Sequence, residues 1–218
     1  MAIIYAFGDS ITYGAWDIEK SGWAARLRKH LDDMQERDPN FYALFYNLGI
    51  PGETTNGFIA RFEIEYKSRL RDGEKAIFIF AYGANDAAYL TEESQFKVPI
   101  VTFKENLESM IASAKKISPD ILVVNILPVV EAKNKEPRNG KVRLNSYIGQ
   151  YNMVMAEVVK NAGISLVDVN SAFMQAGHER LFIEEDGLHP NTAGHELLYE
   201  TIKRHLVNLI AREAIKKQ

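Results

Sequence analysis

The run Ala76-Ile77-Phe78-Ile79-Phe80-Ala81 contains no polar side chain and breaks two residues later at Gly83-Ala84-Asn85-Asp86. A strand with one wet face alternates apolar and polar residues. An unbroken apolar run belongs to a strand buried on both faces, the situation of a parallel sheet covered by helices. Ile3-Ile4-Tyr5-Ala6-Phe7 has the same character and stops at Gly8-Asp9-Ser10. Phe41 to Leu48, Ile121 to Leu127 and Ile164 to Val169 read as three more strands. Between these lie helical spacings: Trp23, Leu27, Leu31 and Met34 within Ser21 to Glu36, then Phe58, Phe62, Tyr66 and Leu70. Phe103, Leu107, Met110, Ala114 and Ile117 mark a third helix, Tyr147 to Val158 a fourth, and Leu198, Ile202, Leu206 and Leu209 a last long one. Five strands alternating with helices define an α/β chain, with a flavodoxin-like strand order 2-1-3-4-5 as the leading topology. The 218 residues suit a single domain, 1–218, without repeats or low-complexity tracts.

Composition narrows the chemistry. Twenty-six basic against 29 acidic residues give a net charge of −3, which argues for neither nucleic acid nor an anionic membrane as partner. There is no cysteine, so disulfides, thiolate metal sites and a thiol nucleophile are excluded. A covalent nucleophile must be an oxygen or a nitrogen. The N-terminus has no basic region leading into an apolar segment, and no run is long enough to span a bilayer. A cytoplasmic protein without membrane insertion is expected, and no oligomeric state is assigned.

In an open α/β sheet, ligands bind at the carboxyl ends of the strands. Ser10 follows the first strand, Gly52 the second and Asn85 the third, so all three fall on that edge. Gly8-Asp9-Ser10 alone reads equally as a turn with a helix cap. Of the five histidines, His30 and His205 lie in charged helices, His178 in a polar segment without an acid partner, and His195 one turn into the last helix. His189 differs, because Asp186 precedes it by three residues and Pro190 fixes the chain after it. A carboxylate at that spacing can bond Nδ1 and leave Nε2 facing Ser10, the arrangement of a general base for an oxygen nucleophile. Glycine suits close approach of main chain to substrate, and an asparagine amide is a neutral donor. Gly52, Asn85 and the Ser10 N–H would then form an oxyanion hole. Asp9 and Asp86 are expected to brace these loops.

Four blocks, Gly8-Asp9-Ser10, Gly52, Gly83-Ala84-Asn85-Asp86 and Asp186-Gly187-Leu188-His189, follow in this order and with these flanks across nearly the whole chain. The pattern resembles the SGNH (GDSL) hydrolases. The resemblance implies a three-layer α/β/α hydrolase with Ser10 as nucleophile, His189 as base and Asp186 as its orienting acid. The oxyanion donors it implies are Ser10 N–H, Gly52 N–H and Asn85 Nδ2. It also implies that neither metal nor cofactor is needed.

The expected reaction is hydrolysis of carboxylic esters or thioesters through an acyl-enzyme on Ser10, with small soluble acyl esters or acetylated sugars as substrates. Trp16, Tyr89 and Phe96 stand in loops after the first and third strands and either line the acyl pocket or pack beneath those loops. The segment Pro128 to Arg143 reads as an irregular, solvated loop whose basic excess could meet an anionic leaving group such as a coenzyme. Two other readings remain open. Asp9, Asp86, Asp186 and His189 are hard-metal ligand types suited to a metal-dependent hydrolase. A non-catalytic flavodoxin-like binding module is the other, although no phosphate-cradling glycine motif follows the first strand.

Overall fold

A computed structural model describes residues 2–211, so the ends of the expected 1–218 domain, Met1 and 212–218, lie outside the described residues. In chain order the elements are β1 (Ala2–Gly8), α1 (Ser10–Tyr13), α2 (Gly22–Arg37), β2 (Ala43–Gly49), α3 (Thr55–Lys67) and β3 (Lys75–Ala81). They continue with β4 (Tyr89–Leu90), β5 (Gln95–Phe96), α4 (Ile100–Lys115), β6 (Ile121–Val124), α5 (Glu131–Asn134) and β7 (Lys141–Val142). The last are α6 (Asn145–Ala162), β8 (Ser165–Val167), α7 (Val169–Gln175), a 3-10 turn (His178–Leu181) and α8 (Thr192–Ala211).

The central sheet is parallel with the order β2-β1-β3-β6-β8. Counting only these five strands, that is the expected 2-1-3-4-5. Side chains alternate across a strand, and here both sets are apolar. Ile3, Tyr5, Phe7, Phe78 and Phe80 pack against Phe58 and Phe62 of α3, Phe103 of α4 and Tyr151 of α6. Ile4, Ala6, Ile77 and Ile79 pack on the other face against Trp23 and Leu27 of α2, Phe173 of α7, and Leu198 and Ile202 of α8. The result is the three-layer α/β/α sandwich expected from sequence. Phe58 sits at the centre of the first layer with ring contacts to Phe7, Phe62, Phe80 and Tyr82. Such edge and tilted pairs add about 1 kcal/mol each to the burial of the rings.

Register aligns the functional edge. Gly8 stands opposite Gly49 on β2 and Ala81 on β3, so the chain leaves all three strands at one level. Glycine is required on both sides of this junction. A Cβ at Gly8 would lie 2.1 Å from Thr12 Oγ1, and one at Gly49 would lie 2.3 Å from the Tyr13 nitrogen. The short α1 is thereby pressed onto the ends of β1 and β2.

The structure departs from the sequence reading in several places, among them the start of the second strand, at Ala43 rather than Phe41, and Ile117, which falls beyond the end of α4 at Lys115. The fourth strand ends at Val124 rather than Leu127: Asn125 N–H still donates to Val167 O of β8, but from Ile126 on the backbone bonds side chains instead of a neighbouring strand. Asn125 Oδ1 accepts from the Val169 and Asn170 N–H groups, and Asn152 Oδ1 accepts from Ile126 N–H. The fifth strand is shortened at both ends, and Asp168 caps α7 by accepting from Ser171 N–H. Leu70 falls beyond the second long helix, which ends at Lys67. Pro128 to Arg143 is not wholly irregular: it holds α5 and β7, and β7 joins β4 and β5 in a small antiparallel sheet, β5-β4-β7. Two-residue strands are too short to leave a periodic signal. Among the described residues, no helix is long and apolar enough to cross a membrane.

Candidate active site

Asp9, Ser10 and Ile11 emerge directly from β1. Asp9 is the N-cap of α1, its Oδ1 accepting from Ile11 N–H at 2.9 Å, which turns Ser10 into the first helical position. Ser10 Oγ lies 2.9 Å from His189 Nε2. His189 Nδ1 lies 2.6 Å from Asp186 Oδ2, while Asp186 Oδ1 accepts from the N–H groups of Leu188 (2.9 Å) and His189 (3.0 Å). The Asp-Gly turn therefore closes on its own carboxylate, which fixes the imidazole one residue after it. Burial alone would raise the Asp186 carboxyl, but the imidazole and the two N–H donors outweigh it and hold the carboxyl below the usual range. An ionised Asp186 accepts only, so Nδ1 carries the proton and Nε2 is the acceptor facing the Ser10 hydroxyl.

Gly52 and Asn85 stand across from this relay. Ser10, Gly52 and Asn85 line one cleft of ≈ 270 Å³ together with Trp16, Arg143 and His189. Gly52 has φ +80°, a conformation that a side chain would strain, and its carbonyl accepts from Lys97 Nζ at 3.0 Å. Asn85 Nδ2 donates to Glu53 O at 3.1 Å and to Asp9 Oδ2 at 3.3 Å, so both amide hydrogens have protein partners. Behind Gly52, the Glu53 carboxylate is held by Arg61 and by the Tyr82 hydroxyl. Arg61 also donates to Leu48 O at 2.7 Å, so the loop after β2 is anchored from inside.

Asp9 and Asp86 each accept from a backbone N–H, of Ile11 and Thr55 respectively. Asp86 accepts from both the N–H and the hydroxyl of Thr55 at the start of α3. Both carboxyls are raised by burial, Asp9 to about 6. As metal ligands, however, Asp9, Asp86, Asp186 and His189 do not converge. Each carboxylate has separate partners, and among the described residues no group of three or more His, Asp or Glu is arranged to hold an ion.

The three aromatic candidates separate. Trp16 sits at the rim, 63 % exposed, with its ring edge-on to His189 at 6.2 Å. Tyr89 and Phe96 pack against each other across β4 and β5, and against Tyr147 of α6, rather than lining the Ser10 cleft. The other histidines stay outside the relay. His195 is fully buried, with Nδ1 accepting from Trp23 N–H and Nε2 donating to Ala15 O, and burial lowers it to about 4.

Sequence reasoning did not single out Glu53, Arg61 or Lys97 as parts of the site, and named Arg143 only within the basic segment that could meet an anionic leaving group. Glu53 was the one with a local signal, being the residue after Gly52. Lys97 and Arg143 arrive through the small sheet, which leaves no pattern.

The chain thus folds as a five-stranded parallel sheet with helices on both faces, and carries Ser10, His189 and Asp186 in one hydrogen-bonded row at the sheet's carboxyl edge. The chain belongs to the GDSL-like lipase/acylhydrolase family, whose model matches residues 6–197, and it is an ester-bond hydrolase of the GDSL type. It is 28 % identical to a Bos taurus protein named isoamyl acetate-hydrolyzing esterase 1 homolog, over 96 % of this chain and 82 % of that one. The lipase/acylhydrolase from Enterococcus faecalis has the same fold, with a TM-score of 0.75 and 24 % identity over 94 % of this chain and 95 % of that one. So has the acetylxylan esterase Axe2 from Geobacillus stearothermophilus, with a TM-score of 0.69 and 20 % identity over 93 % of each chain.

Proposed function

We propose that this chain, acting as one hydrolase domain, is a serine esterase that works through an acyl-enzyme on Ser10. The observation that carries this reading is the continuous relay from Asp186 through His189 to the Ser10 hydroxyl, at 2.6 and 2.9 Å, opening onto the cleft that Gly52 and Asn85 line. His189 Nε2 takes the hydroxyl proton as Oγ attacks the acyl carbon, and the imidazolium is stabilised by Asp186. The oxyanion is received by the N–H groups of Ser10 and Gly52 and by Asn85 Nδ2, which gives up its longer bond, to Asp9 Oδ2 at 3.3 Å, to do so. The intermediate collapses by expelling the alcohol, to which Nε2 returns the proton. Water, deprotonated by the same nitrogen, then releases the acid.

The cleft of ≈ 270 Å³ supports a short acyl group such as acetyl. The names of the relatives point the same way, toward small acetate esters in one case and acetylated sugar in the other. The test combines fluorophosphonate labelling with p-nitrophenyl acetate turnover. Wild-type protein should label at Ser10 and turn over the ester, and Ser10→Ala should do neither. Turnover retained in Ser10→Ala would refute the nucleophile assignment.

A further inference from the structure

Arg143 is anomalous. It is half-buried on the wall of the nucleophile cleft, yet its side chain makes no hydrogen bond or ion pair with any described residue, and its Nε is fully buried without a partner. A buried N–H without a partner is costly, so such donors normally find a carboxylate or carbonyl. Its backbone is firmly placed: Arg143 N–H donates to Asn134 O, and the residue directly follows β7. The same small sheet brings Lys141 from β7 and Lys97, next after β5. These three cations lie close enough that Lys141 and Arg143 both help to lower the Lys97 ammonium, after burial as the larger cause.

Arg143 also marks a direction. A second cleft of ≈ 490 Å³ adjoins the first, and the two share Trp16, Arg143, Leu188 and His189. Lys141 and Arg138 line only the outer one, whereas Gly52 and Asn85 line only the inner one. The expelled alcohol oxygen takes its proton from His189 Nε2, so the alcohol portion leaves past His189, on the side of the outer cleft. Of the two carboxylates there, Asp186 is engaged by the imidazole.

We propose that the preferred substrates are esters whose alcohol portion carries an anionic group, a carboxylate, sulfate or phosphate, and that Arg143 receives that group with Lys141 behind it. This rests on the serine-esterase reading. In the acylation step the Ser10 Oγ–acyl carbon bond forms and the acyl carbon–alcohol oxygen bond breaks. The serine proton passes through Nε2 to the alcohol, which departs with its anion still paired to Arg143. Asp9 and Asp186 lie within electrostatic reach of Arg143, and a guanidinium serving only as their counter-charge would act on every ester alike.

The experiment compares 3-carboxy-4-nitrophenyl acetate with its neutral 3-carbamoyl isostere, and with mono-4-nitrophenyl succinate, which carries the anion on the acyl side. Wild type should favour the carboxylate over the carbamoyl ester by about tenfold to a hundredfold in kcat/KM, the worth of one charge-assisted hydrogen bond. Arg143→Gln should collapse that ratio, chiefly through KM for the anionic ester, and Arg143→Lys should restore part of it. Lys141→Gln, in the outer cleft, should lower the ratio severalfold, and added salt should lower it in wild type. A wild-type ratio near one, an equal fall on both esters in Arg143→Gln, or a preference for the succinate would each overturn the proposal. Absence of turnover on all three esters together with absence of Ser10 labelling would instead remove the esterase reading, and this proposal with it.

Discussion

Asp9 should make the fold less stable as pH rises through the range in which most proteins are at their best. It is 2 % exposed, and burial, helped by Asp86 nearby, pushes its carboxyl from 3.8 up to about 6 against the opposing Ile11 N–H. The folded state therefore keeps this proton to higher pH than the unfolded chain. The penalty is absent below the unfolded value of 3.8, grows as pH rises, and is complete above about 6. At 1.36 kcal/mol per pH unit, the gap corresponds to about 3 kcal/mol. Asp9→Asn keeps the acceptor that caps Ile11 N–H but cannot ionise. Its other costs, such as the lost acceptor opposite Asn85 Nδ2, are the same at every pH and cancel when pH 4 and pH 8 are compared. Part of the penalty, about 0.6 kcal/mol, is already present at pH 4, so the stability of wild type relative to Asp9→Asn should fall by about 2.4 kcal/mol between those two values. For a chain of this length that moves the difference in Tm by roughly 5–10 °C. Circular-dichroism melts of both proteins at constant ionic strength, in half-unit steps, measure it directly. A Tm difference flat to within about 2 °C across the range would refute the reasoning, because it would mean that Arg143 neutralises Asp9 at no net cost.

Asn85→Ala should lower kcat on p-nitrophenyl acetate by roughly 10²- to 10³-fold with little change in KM, since the amide is needed where charge develops; an unchanged kcat would remove Asn85 from the oxyanion hole. Asp17→Ala breaks a buried pair with Arg26, whose side chain is only 6 % exposed. One-sided removal of such a partner costs about 3–5 kcal/mol, and the lower end is expected because Glu196 still meets Arg26 Nε at 2.9 Å; a calorimetric scan reads it. Glu53→Gln should weaken the Arg61 and Tyr82 anchor behind Gly52, lowering kcat more than it raises KM; an effect on KM alone would place Glu53 in substrate binding instead.

The layers and the strand order were legible because the signal for them is long. Runs such as Ile3–Phe7 and Ala76–Ala81 admit no wet face, and only a sheet covered on both sides accommodates them. The Ser10, Gly52, Asn85 and Asp186–His189 blocks were legible for a related reason. Each is a turn at a strand end or before a helix, where Gly, Asp and Asn stand out against apolar flanks. What escaped was structure held by tertiary contact. Asn125 ends β6 through its side chain, and nothing in the run Ile121 to Leu127 announces it. Arg143 could be read only as one charge of a basic segment, solvated or meeting an anionic leaving group, because β7 is two residues long and its partner β4 is some fifty residues away in sequence. Tyr89 and Phe96 were ambiguous for the same cause, and cross-strand packing claimed both.

The Ser10–His189 hydrogen bond joins residues 179 apart in sequence, so neither local segment can set its length. The structure supplies a second link between the same two segments. Asp17, after the Ser10 turn, accepts from Thr192 Oγ1 at 2.9 Å and from Gly22 N–H, while His195 on α8 spans Ala15 O and Trp23 N–H. Arg26 completes the link by donating to Thr192 O. These groups are buried and polar, and apolar residues of similar volume would often be as stable. Apolar packing, however, tolerates small slips that a 2.9 Å proton-transfer distance does not, whereas a satisfied polar network has one geometry. The buried charge at Asp17 is therefore best understood as serving position rather than stability. Asp17→Ala should accordingly lose kcat even at temperatures where the variant remains fully folded.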